Sequence, residues 1–221
     1  MKHKDKPYFS FARHFLAKLI LVVILIVSVG INICFFIQTY RRNMVTYVVD
    51  GDSFELADGR RVRLLGVDAP EKGRCGYEEA KAKLSALLLG NHVRLDNRIP
   101  DAYGRVLATV FAKNILINKE VIRFGSVKNT GSNTTYNSEF SRLENDAKVQ
   151  KLGIYSNQCR GSSPQSECTI KGNIRQGKKA YYVSGCKTYD QVIVDLSFGD
   201  AWFCTEQDAI QQGFTKAMSC L

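Results

Sequence analysis

The stretch DGDSFELADGRRVRLLGVDAPE, Asp50–Glu71, decides how the chain is expected to fold. It follows a β-branched run at Val45–Val49, and its Asp-Gly pairs at 50–51 and 58–59 are typical of turns between paired strands. Pro70 ends the last strand because it has no backbone N–H to donate. The stretch predicts a system of short strands that carries four Asp, two Glu and three Arg.

The residues beyond this stretch complete a small barrel. Apolar spacing predicts helices over 78–89, 117–124 and 139–152, each ended by a glycine. Strands are predicted over 92–95 and 106–111. This order lacks βαβ alternation, so it predicts a mainly β protein with helices, a five-stranded OB-type barrel that carries three helices.

An apolar run at Leu19–Ile37 precedes the barrel. Its length matches the hydrocarbon core of a bilayer, which is about 30 Å thick, at about 1.5 Å per residue. Residues 1–42 also hold +6 of the net charge of +10, so the high pI is not by itself a sign of nucleic-acid binding. The flank with more basic residues, here the N-terminal one, stays in the cytoplasm. The run therefore predicts a single-pass anchor with a cytoplasmic N-terminus, and it places the C-terminal part of the chain in the periplasm or outside the cell.

A cleaved signal peptide is the alternative interpretation of the same run, and it would make the protein secreted. Small residues at 27–30 offer a place for the cut, but the apolar run continues to Ile37 and has no clear A-x-A site. The uncleaved anchor is therefore the favoured interpretation.

A Gly/Ser/Pro-rich linker, CRGSSPQSEC, precedes a second unit after the barrel. The sequence divides into a tail and anchor at 1–42, a barrel domain at 43–158, a linker at 159–167 and a small α+β module at 168–221, whose protein partner the sequence does not indicate. In that module we predict strands at KKAYYV and QVIVDLS and a helix opened by Thr205.

Six cysteines lie on the outward side of the apolar run. Four belong to the module and could bind Zn²⁺, but they lack the closely spaced cysteine pairs of most structural zinc sites. An oxidising compartment favours two disulfides instead. Cys75 and Cys159 are candidates to pair with each other. The module cysteines are Cys168, Cys186, Cys204 and Cys220.

Five charged residues of the barrel could form one reactive site. Asp52 and Asp68 stand at the ends of neighbouring predicted strands, where paired carboxylates suit a hard cation such as Ca²⁺ or Mg²⁺. Glu71 follows closely and could take a proton from water. Arg63 and Arg105, on different strands, could clamp a phosphate, since a guanidinium keeps its charge.

The alternative interpretation of the same residues is that they form no site: the carboxylates are solvated turn residues, and the arginines lie on the surface. His92 is the one histidine of the barrel domain, and no Ser–His pair is evident. A nucleophilic triad is therefore disfavoured, and metal-assisted attack of water on phosphorus is the chemistry that these residue types support best.

The motifs VVDGDSFEL, VRLLGVDAPE, DAYGRVLATVF and KLGIYS, in this order, resemble the staphylococcal nuclease (thermonuclease) family over about Val45–Ser156. The resemblance implies an OB barrel with three helices and a Ca²⁺-dependent phosphodiesterase that acts on DNA and RNA and leaves 3′-phosphate ends. It suggests a membrane-anchored bacterial member with a C-terminal Cys-containing module.

Carried over by position, the resemblance assigns roles to ten residues. Ala69 stands where the family usually has Thr, which a carbonyl ligand tolerates, and Ala102 replaces a frequent Lys, so one phosphate contact is lost. The implied metal ligands are Asp52, Asp68 and the carbonyl of Ala69, supported by Asp50 and Ser53. The implied catalytic residues are Glu71 as general base with Arg63 and Arg105 on the phosphate, and the implied nucleotide contacts are Tyr103 and the loop residue Tyr136.

Three interpretations of the function remain open at this stage. The favoured one is an extracytoplasmic Ca²⁺-dependent nuclease. The alternative is a tethered OB-fold module that binds nucleic acid without cutting it, and a role of the anchor and tail in protein assembly is a third possibility. Degenerate binding domains of the family typically lack parts of the Arg/Asp/Glu set, whereas all of Arg63, Asp68, Glu71 and Arg105 are present here.

Overall fold

The structure, a computed structural model, describes residues 8–131, 135–161, 163 and 165–220. They form two compact units, of which the first ends at Asn43 and the second begins at Met44.

The first unit is one helix, α1 (Tyr8–Arg42), of 35 residues. Its part from Phe15 to Arg42 has a mean hydropathy of 3.0 over its most apolar window and is not buried. At about 1.5 Å per residue this part is longer than the roughly 30 Å of a bilayer core. Length and composition therefore fit a membrane span, and they fit a signal sequence equally well.

The second unit begins with a barrel. Its main sheet has the order β1-β2-β3-β6-β5, with β7 added beside β6, and β3 and β6 are its one parallel pair among the described strands. A bridge between Met44 and His92 joins the starts of β1 and β5 and so closes the sheet on itself. The strands are β1 (Val45–Val48), β2 (Ser53–Leu56), β3 (Arg61–Leu64), β4 (Val67–Asp68), β5 (Val93–Pro100), β6 (Val106–Ala112), β7 (Ile115–Leu116) and β8 (Lys128–Asn129).

Three helices pack on this barrel, as predicted: α2 (Tyr77–Leu88), α3 (Ile117–Arg123) and α4 (Asn137–Val149). Each presents apolar residues at helical spacing to the barrel interior. The core they cover includes Phe54, Val62, Leu64, Leu84, Leu88, Val110, Ile122 and Phe140, all fully buried. The predicted OB-type α+β fold is confirmed.

The buried side-chain amide of Asn118 joins α3 to β6 and to the turn after β3. Asn118 is fully buried; its Oδ1 accepts from the N–H of Val110 at 2.8 Å, and its Nδ2 donates to the carbonyl of Leu65 at 2.9 Å. Buried polar groups cost stability unless they are paired, so this bridge fixes the turn that leads from β3 into β4.

Strand β4 carries Asp68 and is held by β8 and α4. Asp68 lies opposite Lys128 in the β4–β8 pair. The Glu144 carboxylate accepts from the N–H of Asn129 at 3.0 Å and from the hydroxyl of Tyr155 at 2.7 Å, and it pairs with Lys148 at 2.7 Å. Burial by itself would raise the pKa of Glu144, but these hydrogen bonds outweigh it and hold the pKa below its ordinary value.

Replacing Glu144 by Gln should therefore destabilise the protein in a pH-dependent way. A folded-state pKa below the unfolded value contributes stability above the unfolded pKa, near 4.3, and this stability is lost as pH falls through the folded value. We expect Glu144→Gln to lower the free energy of unfolding by about 1–3 kcal/mol at pH 7. Urea unfolding of both proteins should show this gap shrinking toward pH 3. A gap that is the same at both pH values would contradict the assignment, and Glu78→Gln, at an exposed glutamate, is the control.

The C-terminal residues form a second sheet of order β11-β9-β10-β12. Its strands are β9 (Ile170–Arg175), β10 (Lys178–Tyr182), β11 (Ala201–Phe203) and β12 (Thr215–Lys216), and short helices α5 (Asn157–Arg160) and α6 (Glu206–Gln211) flank it. Thr205 caps α6 in a reciprocal capping box with Asp208, as predicted.

The predicted strand at QVIVDLS, residues 191–197, is wrong. The backbone N–H of Asp195 donates to the Asp200 carboxylate at 3.0 Å, and that of Leu196 donates to the Cys159 carbonyl at 3.0 Å. Because these donors are used outside any sheet, the apolar segment follows an irregular path, and β9 and β10 are the two inner strands of the sheet.

Six cysteines form three disulfides: Cys75–Cys159, Cys168–Cys204 and Cys186–Cys220. The two predicted disulfides of the module are thereby confirmed, and the alternative of a Zn²⁺ site there is not supported. Disulfides are typical of an oxidising compartment.

The module packs against the barrel residues within the second unit. Asp195 pairs with Arg160 at 2.5 Å and with Lys128 at 3.1 Å, and the Lys128 ammonium lies 3.3 Å from the ring centre of Phe198. The module thus contacts β8, the strand that pairs with Asp68. The boundaries at 43–158, 159–167 and 168–221 stay a prediction.

Candidate active site

The turn between β1 and β2 places the first acidic pair. Asp50 Oδ1 accepts from the backbone N–H of Asp52 at 3.0 Å. A Cβ at Gly51 would lie 2.6 Å from the Cβ of Ala80 and 2.9 Å from that of Ala69, closer than side chains pack. Glycine at position 51 therefore lets the turn sit directly against α2, and this contact buries Asp52.

The Asp52 carboxylate is 1% exposed and accepts three hydrogen bonds. Its Oδ1 accepts from the Ser53 hydroxyl at 2.7 Å and from Arg63 Nη1 at 2.8 Å, and its Oδ2 accepts from the N–H of Ala69 at 2.8 Å. Burial raises the pKa of Asp52 to about 7, although the positive charge of Arg63 opposes the shift. The ionised form of Asp52 therefore depends on a cationic partner such as Arg63.

Arg63 connects this buried carboxylate to a second one. It lies on β3, directly opposite Ser53 on β2, and its Nη2 donates to Asp68 Oδ1 at 2.6 Å. Asp68 is 43% exposed, and Arg63 is 20% exposed. The three side chains therefore form one cluster that opens from the barrel interior to solvent.

A cleft of about 550 Å³ lies at the open end of this cluster. It is lined by Arg61, Arg63, Glu71, Tyr103 and Arg105. Residues from β3, from the loop after β4 and from the turn before β6 thus meet at one place. Glu71 is exposed there, and Tyr103 is 84% exposed.

Arg105 is oriented by a carboxylate of its own turn. Asp101 Oδ2 accepts from Arg105 Nε at 2.7 Å, and Asp101 Oδ1 accepts from the N–H groups of Tyr103 and Arg105. Burial opposes the effect, but these hydrogen bonds lower the pKa of Asp101, so it stays ionised. Since Asp101 uses Nε, both terminal amino groups of Arg105 remain to contact an anion.

The donor chemistry of the cluster fits a hard cation. Among the residues that the structure describes, no three His, Cys, Asp or Glu side chains come together as a metal-binding group. Asp52 and Asp68 supply oxygen donors alone, and a cation such as Ca²⁺ takes six to eight oxygens, so backbone carbonyls and water would complete the shell. The structure does not test the predicted carbonyl of Ala69, whose N–H contacts Asp52.

Tyr136, the nucleotide contact predicted in the loop, does not line the cleft. It precedes α4, its ring stacks on Phe140 with centroids 6.0 Å apart, and it packs against the hydrophobic core. Residues 132–134, shortly before Tyr136, lie outside the described residues.

Comparison with known proteins identifies the family of the chain. The family model described as staphylococcal nuclease homologue matches residues 61–157. An uncharacterized endonuclease of Escherichia coli is 32% identical over 118 residues, which cover 51% of this chain and 75% of that protein. The chain belongs to the staphylococcal nuclease family. Protein ParB of E. coli is 30% identical over 128 residues, 52% of this chain and 72% of the relative, and a micrococcal nuclease of Shigella flexneri is 29% identical over 130 residues, 52% and 74%.

The structure of this staphylococcal nuclease homologue adds two residues that the sequence did not predict: Arg61 lines the cleft, and Asp101 orients Arg105 beside it. Arg61 lies two residues before Arg63 on β3, so both side chains point to the same face of the sheet. Asp101 precedes Arg105 by four residues in a turn, a spacing that brings a carboxylate back to a guanidinium. Strand alternation could have identified Arg61, but a turn's side-chain contacts are not readable from spacing alone.

Proposed function

We propose that the protein is a Ca²⁺-dependent nuclease that hydrolyses phosphodiester bonds of DNA, RNA or both outside the cytoplasm. Its membership of a nuclease family supports the reaction class. The observation that carries the proposal is the convergence of Arg63, Glu71, Tyr103 and Arg105 on one cleft, with Arg63 bonded to both Asp52 and Asp68.

In this proposal Asp52, Asp68 and the carbonyl of Ala69 hold the cation, and Asp50 and Ser53 keep the Asp52 carboxylate in place. When bound there, Ca²⁺ would supply positive charge that stabilises the phosphoryl oxygens and favours ionisation of the attacking water. The buried Asp52 and the exposed Asp68 together leave one side of the cluster open to solvent and substrate.

The arginines position the phosphate. A guanidinium has five N–H donors, of which Arg63 uses two on carboxylates and Arg105 uses its Nε on Asp101, so each keeps donors for phosphoryl oxygens. Two fixed forks suit the equatorial oxygens, whose negative charge grows in the transition state. The exposed ring of Tyr103, 5.3 Å from the Arg105 guanidinium, lies where a base or sugar can stack.

Glu71 is the general base. It removes a proton from water as the water oxygen forms a bond to phosphorus, and the bond from phosphorus to the 5′ oxygen breaks. The leaving oxygen takes a proton from solvent, so the products are a 3′-phosphate and a 5′-hydroxyl.

The location outside the cytoplasm is supported by two features. The three disulfides favour an oxidising compartment. The basic residues before the apolar part of α1 favour a cytoplasmic N-terminus, with α1 as an uncleaved anchor in the bilayer. Signal cleavage and secretion would leave the same catalytic unit in the same kind of compartment.

Cleavage should require calcium. We expect the full chain in detergent micelles to cut plasmid and single-stranded DNA or RNA when Ca²⁺ is present. In EGTA all cutting should be lost, because Arg63 alone does not neutralise the two carboxylates of Asp52 and Asp68. The measurement is gel and end-group analysis, in which phosphatase should remove a 3′-phosphate from the products. Glu71→Gln purified in parallel controls for contaminating nucleases. Tight binding without cutting would instead identify a catalytically inactive nucleic-acid-binding module.

A further inference from the structure

The cleft contains a third guanidinium that the proposed chemistry does not use. Arg61 lines it together with Arg63 and Arg105. Val62 and Leu64 of β3 are buried in the barrel core, so Arg61 and Arg63 lie on the opposite, outer face of the same strand. Their Cα atoms are about 7 Å apart, the usual separation of every second residue along a strand.

Arg61 is held in the same way as Arg105. Its Nε donates to Glu55 Oε1 at 2.8 Å, and Glu55 is its direct partner in the pairing of β2 with β3. The carboxylate that holds Arg105 also accepts from Nε, at 2.7 Å. In both arginines the fork of terminal amino groups is therefore left for another acceptor, and two parallel N–H donors match a phosphate bidentately.

Stability alone gives little reason for this arrangement. The Arg61 side chain is 66% exposed, and an exposed pair such as Arg61–Glu55 contributes about 0–1 kcal/mol. A cation on the rim of a substrate cleft acts differently, since each phosphate that a protein neutralises adds to its affinity for a polyanion by releasing counterions.

We propose that Arg61 binds a second phosphate of the nucleic-acid strand, next to the scissile phosphate held by Arg63 and Arg105. This inference rests on the proposed function, because the proposed reaction defines which phosphate is the scissile one. Arg61 binds the two non-bridging oxygens of the phosphodiester that lies one nucleotide from the cleaved bond.

The test is equilibrium binding of a fluorescent single-stranded oligonucleotide to the full chain in detergent with Ca²⁺, in a Glu71→Gln background that suppresses cutting. Adding Arg61→Gln should weaken binding about three- to tenfold near 0.1 M salt, and the slope of log affinity against log salt should fall by about 0.7, the value for one phosphate contact to a single strand. Arg61→Lys, which keeps the charge, should keep the slope.

Arg142→Gln is the matched control, because Arg142 is 64% exposed and paired with Asp146 yet does not line the cleft. It should leave the affinity and the slope as they are. An unchanged slope for Arg61→Gln, or an equal loss in both variants, overturns the inference. Cutting by the parent chain is measured separately, so absence of cutting with a reduced slope in Arg61→Gln would refute the proposed reaction and support the phosphate contact.

Discussion

Glu71→Gln should lower kcat for phosphodiester hydrolysis by about 10²–10⁴-fold, the usual contribution of a positioned general base. Glutamine has nearly the same shape but cannot accept the proton that water loses as it attacks phosphorus. Because Glu71 is exposed in the loop after β4, the free energy of unfolding should stay close to that of the parent protein. The measurement is initial rates at saturating substrate with Ca²⁺, together with urea unfolding.

Glu78→Gln provides the comparison for this result. Glu78 is also exposed and lies in the first turn of α2, but it does not line the cleft. Its substitution should leave kcat unchanged. Equal rates for Glu71→Gln and the parent protein would remove Glu71 from the reaction.

Replacing Arg63 or Arg105 by lysine should lower kcat by about 10²–10³-fold, as expected for the loss of one preorganised donor to a developing oxyanion. Lysine keeps the charge but lacks the planar fork. The two variants should differ in stability. Arg63→Lys leaves the buried Asp52 with a poorer partner and should cost about 1–3 kcal/mol of unfolding free energy.

Arg105→Lys should cost less stability, because Arg105 is held by a carboxylate within a surface turn. Rates and urea unfolding of both variants, beside Arg142→Lys as an exposed control, separate the two effects. If Arg105→Lys cuts at the parent rate, the paired clamp is wrong. If Arg63→Lys is as stable as Arg105→Lys, the description of Asp52 as dependent on Arg63 is wrong.

The barrel was predictable because local signals agree with one another. Asp-Gly turns, β-branched runs and Pro70 all indicate short strands, and the apolar residues at 80, 84 and 88 recur at helical spacing and are buried on α2. Gly51 shows the limit of such signals. Its turn role is readable from the sequence, but its close approach to Ala80 and Ala69, which buries Asp52, depends on how α2 packs.

The C-terminal residues were harder to predict because side chains and distant carbonyls satisfy their backbone groups. The apolar alternation of residues 191–197 is typical of a strand, yet Asp200 and the Cys159 carbonyl take its N–H groups. The disulfide partners are likewise set by packing, since four cysteines allow three pairings. At the cleft, the resemblance supplied most of the residues. Strand alternation could have added Arg61, whereas the support of Arg105 by Asp101 required coordinates.

The most direct test of the account is a crystal structure of the Glu71→Gln protein with Ca²⁺ and a short DNA strand, with the cation located by its anomalous signal. The account predicts the cation about 2.3–2.6 Å from carboxylate oxygens of Asp52 and Asp68. It also predicts the phosphate beside it bonded to both Arg63 and Arg105. A cation bound elsewhere, or a strand whose phosphates avoid these two arginines, would contradict it.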